Sequence, residues 1–82
     1  MDLCLRYGSV ILGIELKVWR TGQSDPLTKG LPQLEGYLER LKQPSGWLVI
    51  FDSRKNAPAL EDRLGIESAL TSSGRPVTVI RV

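Results

Sequence analysis

The chain has no histidine and a single cysteine, Cys4, among its 82 residues. A disulfide framework within the chain is therefore impossible, and a zinc site built from His and Cys is excluded. Any bound metal must sit among oxygen ligands, which favours Mg²⁺ or Mn²⁺. No apolar run approaches the roughly 20 residues of a membrane-spanning helix, and no signal peptide is visible. A cytoplasmic protein without membrane contact is expected. A strong excess of either charge is also missing, since the formal net charge is +2. Such a balance does not fit a strongly basic nucleic-acid binder, so a phosphodiester would be held by a local patch or a metal. Aromatic residues are few, and Trp19 and Trp47 read as core or interface residues in preference to base-stacking platforms. There is no internal repeat and no low-complexity tract.

What is present suffices for one small domain over residues 1–82. A hydrophobic fraction of 41% supports a core, but a chain this short buries a modest share of its surface. A partner subunit is one source of the missing stability.

Two strands are expected at Asp2–Tyr7 and Val10–Trp19, joined through Gly8-Ser9 as an antiparallel hairpin. In the second strand Val10, Leu12, Ile14, Leu16 and Val18 form an unbroken apolar face. Ile11, Gly13, Glu15, Lys17 and Trp19 form the other, which begins apolar and ends polar. Gly13 leaves room beside Glu15 for another element or a ligand. Thr21–Lys29 reads as a loop. A helix is predicted over roughly Leu31–Lys42, with Leu31, Leu34, Leu38 and Leu41 as its core stripe and Pro32 in its first turn. Trp47–Phe51 is apolar on both faces, the pattern of an inner strand covered on two sides. Asp52 ends it, and Ser53–Pro58 reads as a basic polar loop containing Arg54-Lys55. A second helix is placed within Leu60–Ser72, ended by Gly74 and Pro76, and a last strand at Val77–Val82. The order is β-β-α-β-α-β, with a mixed sheet carrying the antiparallel hairpin at one end.

The chemistry concentrates in Gly13–Arg20. Glu15 and Lys17 emerge on one side of their strand, and hairpin pairing brings Asp2 to the same end. Carboxylates from neighbouring strands can hold a hard cation, and a lysine beside them can orient water or neutralise developing charge. The same two residues also satisfy the description of a plain ion pair, worth under about 1 kcal/mol if exposed. Gln33, Tyr37 and Arg40 form a polar stripe beside the leucines, because residues three and four apart share a helix face.

Asp2, the run Glu15-Leu16-Lys17 and the helix segment Gln33-Leu34-Glu35-Gly36-Tyr37 together resemble the PD-(D/E)XK nuclease superfamily. The last piece is similar to the Gln-x-x-x-Tyr motif of its exonuclease-like branch. Ile14–Arg20, Gly30–Tyr37 and Gly46–Asp52 also resemble the C-terminal nuclease-like domain of bacterial proteins whose N-terminal part is an AAA-ATPase-like module. The resemblance spans nearly the whole chain. It implies an α/β, restriction-endonuclease-like mixed sheet flanked by helices, N-terminally minimal because the chain starts at the first motif. It implies metal-dependent hydrolysis of phosphodiester bonds in DNA, with Mg²⁺ or Mn²⁺ as cofactor. Asp2 and Glu15 would be metal ligands, with the main-chain carbonyl of Leu16 as a third, and Lys17 the catalytic lysine. Gln33 and Tyr37 would contact the nucleic-acid backbone or position the lysine, with Arg20, Lys29 and Arg40 as candidates for phosphate contacts. Without the ATPase module, no ATP hydrolysis is expected. The alternative is a catalytically inactive descendant that binds nucleic acid or protein. In either case a homodimer, or a place within a larger protein, is expected.

Overall fold

The computed structural model describes residues 2–82, apart from the side chains of Asp2, Leu3 and Tyr7. Five strands form one mixed sheet: β1 (Asp2–Tyr7), β2 (Val10–Trp19), β3 (Gly46–Asp52), β4 (Gly65–Leu70) and β5 (Pro76–Arg81). Two helices, α1 (Leu27–Leu41) and α2 (Leu60–Arg63), lie between β2 and β3 and between β3 and β4. In space the strands run β1-β2-β3-β5-β4. The three central strands are mutually parallel, and each edge strand pairs antiparallel with its neighbour.

The first hairpin forms as its sequence predicts. Gly8 takes a φ of 60°, a left-handed conformation that costs glycine little. The resulting register sets Asp2 opposite Glu15. Helix α1 starts earlier than its leucine spacing suggests. The Asp25 carboxylate accepts the N–H of Leu27 at 3.0 Å, and Gly30 N–H bonds the Pro26 carbonyl at 2.7 Å. This local turn captures Leu27–Gly30 as helix, so Pro32 sits inside the helix and not in its first turn. At the other end Lys42 closes the helix in the left-handed region, with φ 56°.

The second predicted helix is overturned. Only Leu60–Arg63 is helical, and Gly65–Leu70 is a strand, giving the order β-β-α-β-α-β-β. Gly65 interrupts the helix, and Ile66–Leu70 pair along their whole length with β5 on one side. Gly74 and Pro76 mark a hairpin turn: Gly74 has φ 86°, and Thr71 bonds Arg75 across it at 3.0 Å. Both sheet edges are therefore hairpins.

The core lies between α1 and one face of the sheet. Leu34 and Leu38 from the helix meet Leu48, Ile50, Val77 and Val79 from β3 and β5. α1 packs on β2 and β3, and it comes close because glycines underlie it. A Cβ on Gly13 would stand 2.7 Å from Leu38 Cδ2, and one on Gly46 would stand 2.8 Å from Leu38 Cδ1. The covered face of β2 is the one carrying Gly13, Glu15 and Lys17. Its unbroken apolar face points the other way, away from α1. The expected cover on both sides of β3 is likewise absent, and Trp47 and Phe51 are exposed. No helix among the described residues is long and apolar enough to cross a membrane.

Candidate active site

Glu15 is drawn inside by its strand position. It stands on the helix face of β2, directly beside Leu48 of β3, and is 2% exposed. Lys17, one step along the same face, places its Nζ 3.9 Å from Glu15 Oε1. Charge-assisted hydrogen bonds are shorter, about 2.7–2.9 Å, so the two groups face each other without locking. Burying a carboxylate is costly unless hydrogen bonds, a counter-charge or a cation compensate it. A buried oxygen donor with an ammonium at its solvent side suits a hard cation and the anion that cation would hold.

The register sets the Cα of Asp2 opposite that of Glu15, as counting back from the Gly8-Ser9 turn predicts. The Asp2 side chain lies outside the described residues, so its expected role as a ligand rests on that backbone register. Among the described residues, no group of three or more His, Cys, Asp or Glu is placed to hold a metal. Glu15 is the described acid of this site.

Among the described residues, β1 pairs with β2 as far as Glu15. Beyond that point β2 is bordered by a cleft of about 530 Å³, lined by Leu16, Lys17, Arg20, Asp25 and Lys29 among others. Three of those five are cations. The one acid is already engaged: Arg81 Nη2 lies 2.8 Å from Asp25 Oδ2, and Asp25 Oδ1 accepts the Leu27 N–H. Among the described residues, neither Arg20 nor Lys29 forms an ion pair. The cleft is therefore electropositive; Lys17 lines it, and Glu15 lies buried behind Lys17.

α1 runs back along β2. Its start borders Arg20 through Lys29, while Tyr37 lies near Gly13, within 3.8 Å of the position a Cβ would take there. One helical turn is about 5.4 Å and two strand residues span about 6.6 Å. Stepping back one turn from Tyr37 to Gln33 thus follows β2 from Gly13 toward Glu15. Gln33 is exposed and Tyr37 half-buried against the core. The Arg40 guanidinium stands 5.6 Å from the Tyr37 ring centre, on the side away from the cleft. Glu15 and Lys17 thus share one face of β2, with Tyr37 near Gly13 on the same face and Arg20 and Lys29 across the cleft from Lys17.

A second charged cluster gives no signal in motif terms. Arg54 lies 3.6 Å from the Trp19 ring centre. Its Nη2 and Nε reach the Asp52 oxygens at 2.6 and 2.8 Å. This fork holds the Asp52 carboxyl down to about 2. Arg54 is thereby a structural group and not part of a solvated loop, and Trp19 packs on the core as expected. Arg81 bridges Asp25 and Glu67, the latter at 2.7 Å. The signal for Arg81 is in the sequence: it continues the alternation Val77, Val79 on the core face, as Lys17 ends the run on β2.

No family model, no curated protein and no solved structure matches this chain.

Proposed function

We propose that the chain is a metal-dependent nuclease that hydrolyses phosphodiester bonds in DNA, on a restriction-endonuclease-like fold. The observation that carries this reading is the almost fully buried Glu15 carboxylate with Lys17 beside it, Lys17 being the residue of the pair that lines a basic cleft. Glu15 and Asp2, register partners on β2 and β1, would hold Mg²⁺ or Mn²⁺, with the Leu16 carbonyl as a further oxygen donor. The ion would supply positive charge at the scissile phosphate and an activated water. Lys17 places its ammonium against the charge that develops on the phosphoryl oxygens. Arg20 and Lys29 hold the flanking phosphates and fix the strand along the cleft. Gln33 borders the same level from α1 and restricts how the backbone approaches, while Tyr37 closes the floor beneath it. Arg40 lies apart from these groups and would meet the substrate only beyond Tyr37.

The test is plasmid nicking with Mg²⁺ or Mn²⁺, with and without chelator. Lys17→Ala should lower the rate at least about 100-fold, as loss of one charge-stabilising donor does, with an unchanged far-UV circular dichroism spectrum. Glu15→Gln should abolish both turnover and metal binding measured by calorimetry. Turnover that survives Lys17→Ala or chelation would sink the reading.

A second reading, a non-catalytic nucleic-acid module, is favoured by one observation: three cations line the cleft around a single described acid. Backbone binding needs no metal. In that case DNA binds without turnover, and the logarithm of the affinity falls with that of salt at a slope near −3, about −0.9 per phosphate neutralised.

A further inference from the structure

We infer that the sheet face opposite α1 is a self-association surface, on which a second copy of this chain stacks to form a two-fold dimer. The register assigns the face. Leu5 lies opposite Leu12, Ile14 beside Trp47, Val18 beside Phe51, and Ile80 opposite Ile66. These residues alternate with the ones buried under α1, so they point away from it. No charged residue occupies any described strand position on this face across all five strands. A solvent-facing side of a sheet ordinarily alternates with polar residues. Here the polar alternation falls on the covered side, at Glu15 and Lys17, and the apolar one is open.

The exposure is large. Leu5, Leu12, Val18, Trp47, Phe51 and Ile66 each show more than a third of their surface. With aromatic side chains of 150–250 Å² and aliphatic ones somewhat smaller, these six amount to about 600 Å². The half-buried residues between them raise the total to roughly 800 Å², which is the share each partner contributes to an interface of standard size. A monomer's largest apolar patch is usually about 300–600 Å². The central strands β2, β3 and β5 are parallel, and parallel strands commonly carry cover on both faces.

The second copy is the occupant that this area fits. The face is continuous, apolar apart from Ser68 and Thr78, and without charges that need a complement, so one patch can serve both partners of an isologous contact. Two sheets stacked this way lie about 10 Å apart and interdigitate their side chains. Glu15 and Lys17 lie on the far side of each sheet, whereas the basic cleft sits at the rim and is lined in part by Leu16 and Val18 of this face. The contact therefore leaves Glu15 and Lys17 facing outward.

The experiment is light scattering coupled to size exclusion on the full chain at about 200 μM, far above a micromolar-class Kd. The expected mass is twice the 9.1 kDa of one chain. Phe51→Lys and Leu12→Glu should each weaken the dimer at least tenfold, with circular dichroism unchanged. In case a charged variant fails to fold, a second measurement uses Thr78→Cys in a Cys4→Ser background. Thr78 lies on β5 beside Trp47, near the middle of the face, and a short bis-maleimide should join two copies there. A folded monomer at that concentration overturns the proposal. So does a dimer that resists both charges and fails to cross-link through Thr78→Cys, which would assign association to a sheet edge. A monomer whose Trp47 emission shifts blue only when an amphipathic helix is added would give the face to a helical partner and also refute it.

Discussion

Glu15 and Lys17 differ in what holds them. Glu15 is fixed by its place in a strand between two neighbours, whereas Lys17 pairs with β3 beyond the described register with β1 and reaches the cleft. A residue in the first position cannot be replaced without a folding effect, while one in the second can. Glu15→Gln therefore needs a stability control, and Lys17→Ala is the cleaner probe of chemistry. Arg20 and Lys29 belong to the same experiment. Each Ala substitution should weaken DNA binding by a similar factor on every sequence and reduce the salt slope by about one, read by titration at several salt concentrations.

Asp52 gives a pH prediction at the same scale. Its carboxyl is lowered from 3.8 to about 2, first by the side-chain hydrogen bond from Arg54. A carboxyl depressed on folding stabilises the native state above its unfolded pKa. That contribution fades as pH drops from near 4 toward 2, because the unfolded chain takes up the proton first. Glu35 adds to the same limb: hydrogen bonds from Ser73 and Arg75 hold its carboxyl below 4.5. Acid unfolding followed by circular dichroism should show stability falling through this window. Asp52→Asn should flatten the fall, and an unchanged acid limb in that variant would contradict the assignment.

At the scale of elements, one helix and two glycines decide how the layers meet. Leu38 fits because Gly13 and Gly46 present no Cβ to its two methyl groups. Leu38→Ala should cost about 2–5 kcal/mol in chemical denaturation. Gly13→Ala should cost about 1–3 kcal/mol by overpacking the same spot. The two changes touch one another, so the double variant should be less damaged than their sum, a coupling that a double-mutant cycle measures. The β4–β5 hairpin is the second decisive element. Gly74→Ala, at a φ of 86°, should destabilise by about 1–2 kcal/mol. Arg75 ties this hairpin to α1, with its Nη1 2.8 Å from Glu35 Oε1 and its Nε on the Gln43 carbonyl at 3.1 Å.

At the scale of the whole molecule, α1 covers one face of a five-stranded sheet, and the six fully buried apolar side chains among the described residues all lie on that side. A chain of this size buries only about 60% of the surface that its unfolded form exposes. Stacking two copies through the open face adds the burial that the second side lacks. The thermal midpoint should therefore rise with protein concentration, as it does for any equilibrium in which association stabilises the folded state. Scanning calorimetry across a hundredfold concentration range reads this directly, and a constant midpoint would count against association.

Much of this architecture is written locally. The Gly8-Ser9 turn with its flanking alternation, the leucine stripe of α1 and the doubly apolar β3 are short-range patterns, and each appears where those patterns place it. The same holds for Glu15 and Lys17 sharing a face, since strand alternation is a property of the backbone alone. Residues 65–70 were not legible, because their helical or extended state depends on whether β5 is there to accept their hydrogen bonds. Nor did alternation along β2 say which of its two faces the helix would choose. The apolar face is the obvious candidate for cover, yet α1 settles on the other, where glycine lets it approach and where Leu48, Ile50, Val77 and Val79 from more distant strands complete the core. Pairings such as Arg81 with Asp25, or Arg54 with Trp19, also arise only once the strand ends are brought side by side. Backbone periodicity fixes what a segment can be; which neighbours it meets is decided by the free energy of the packed whole.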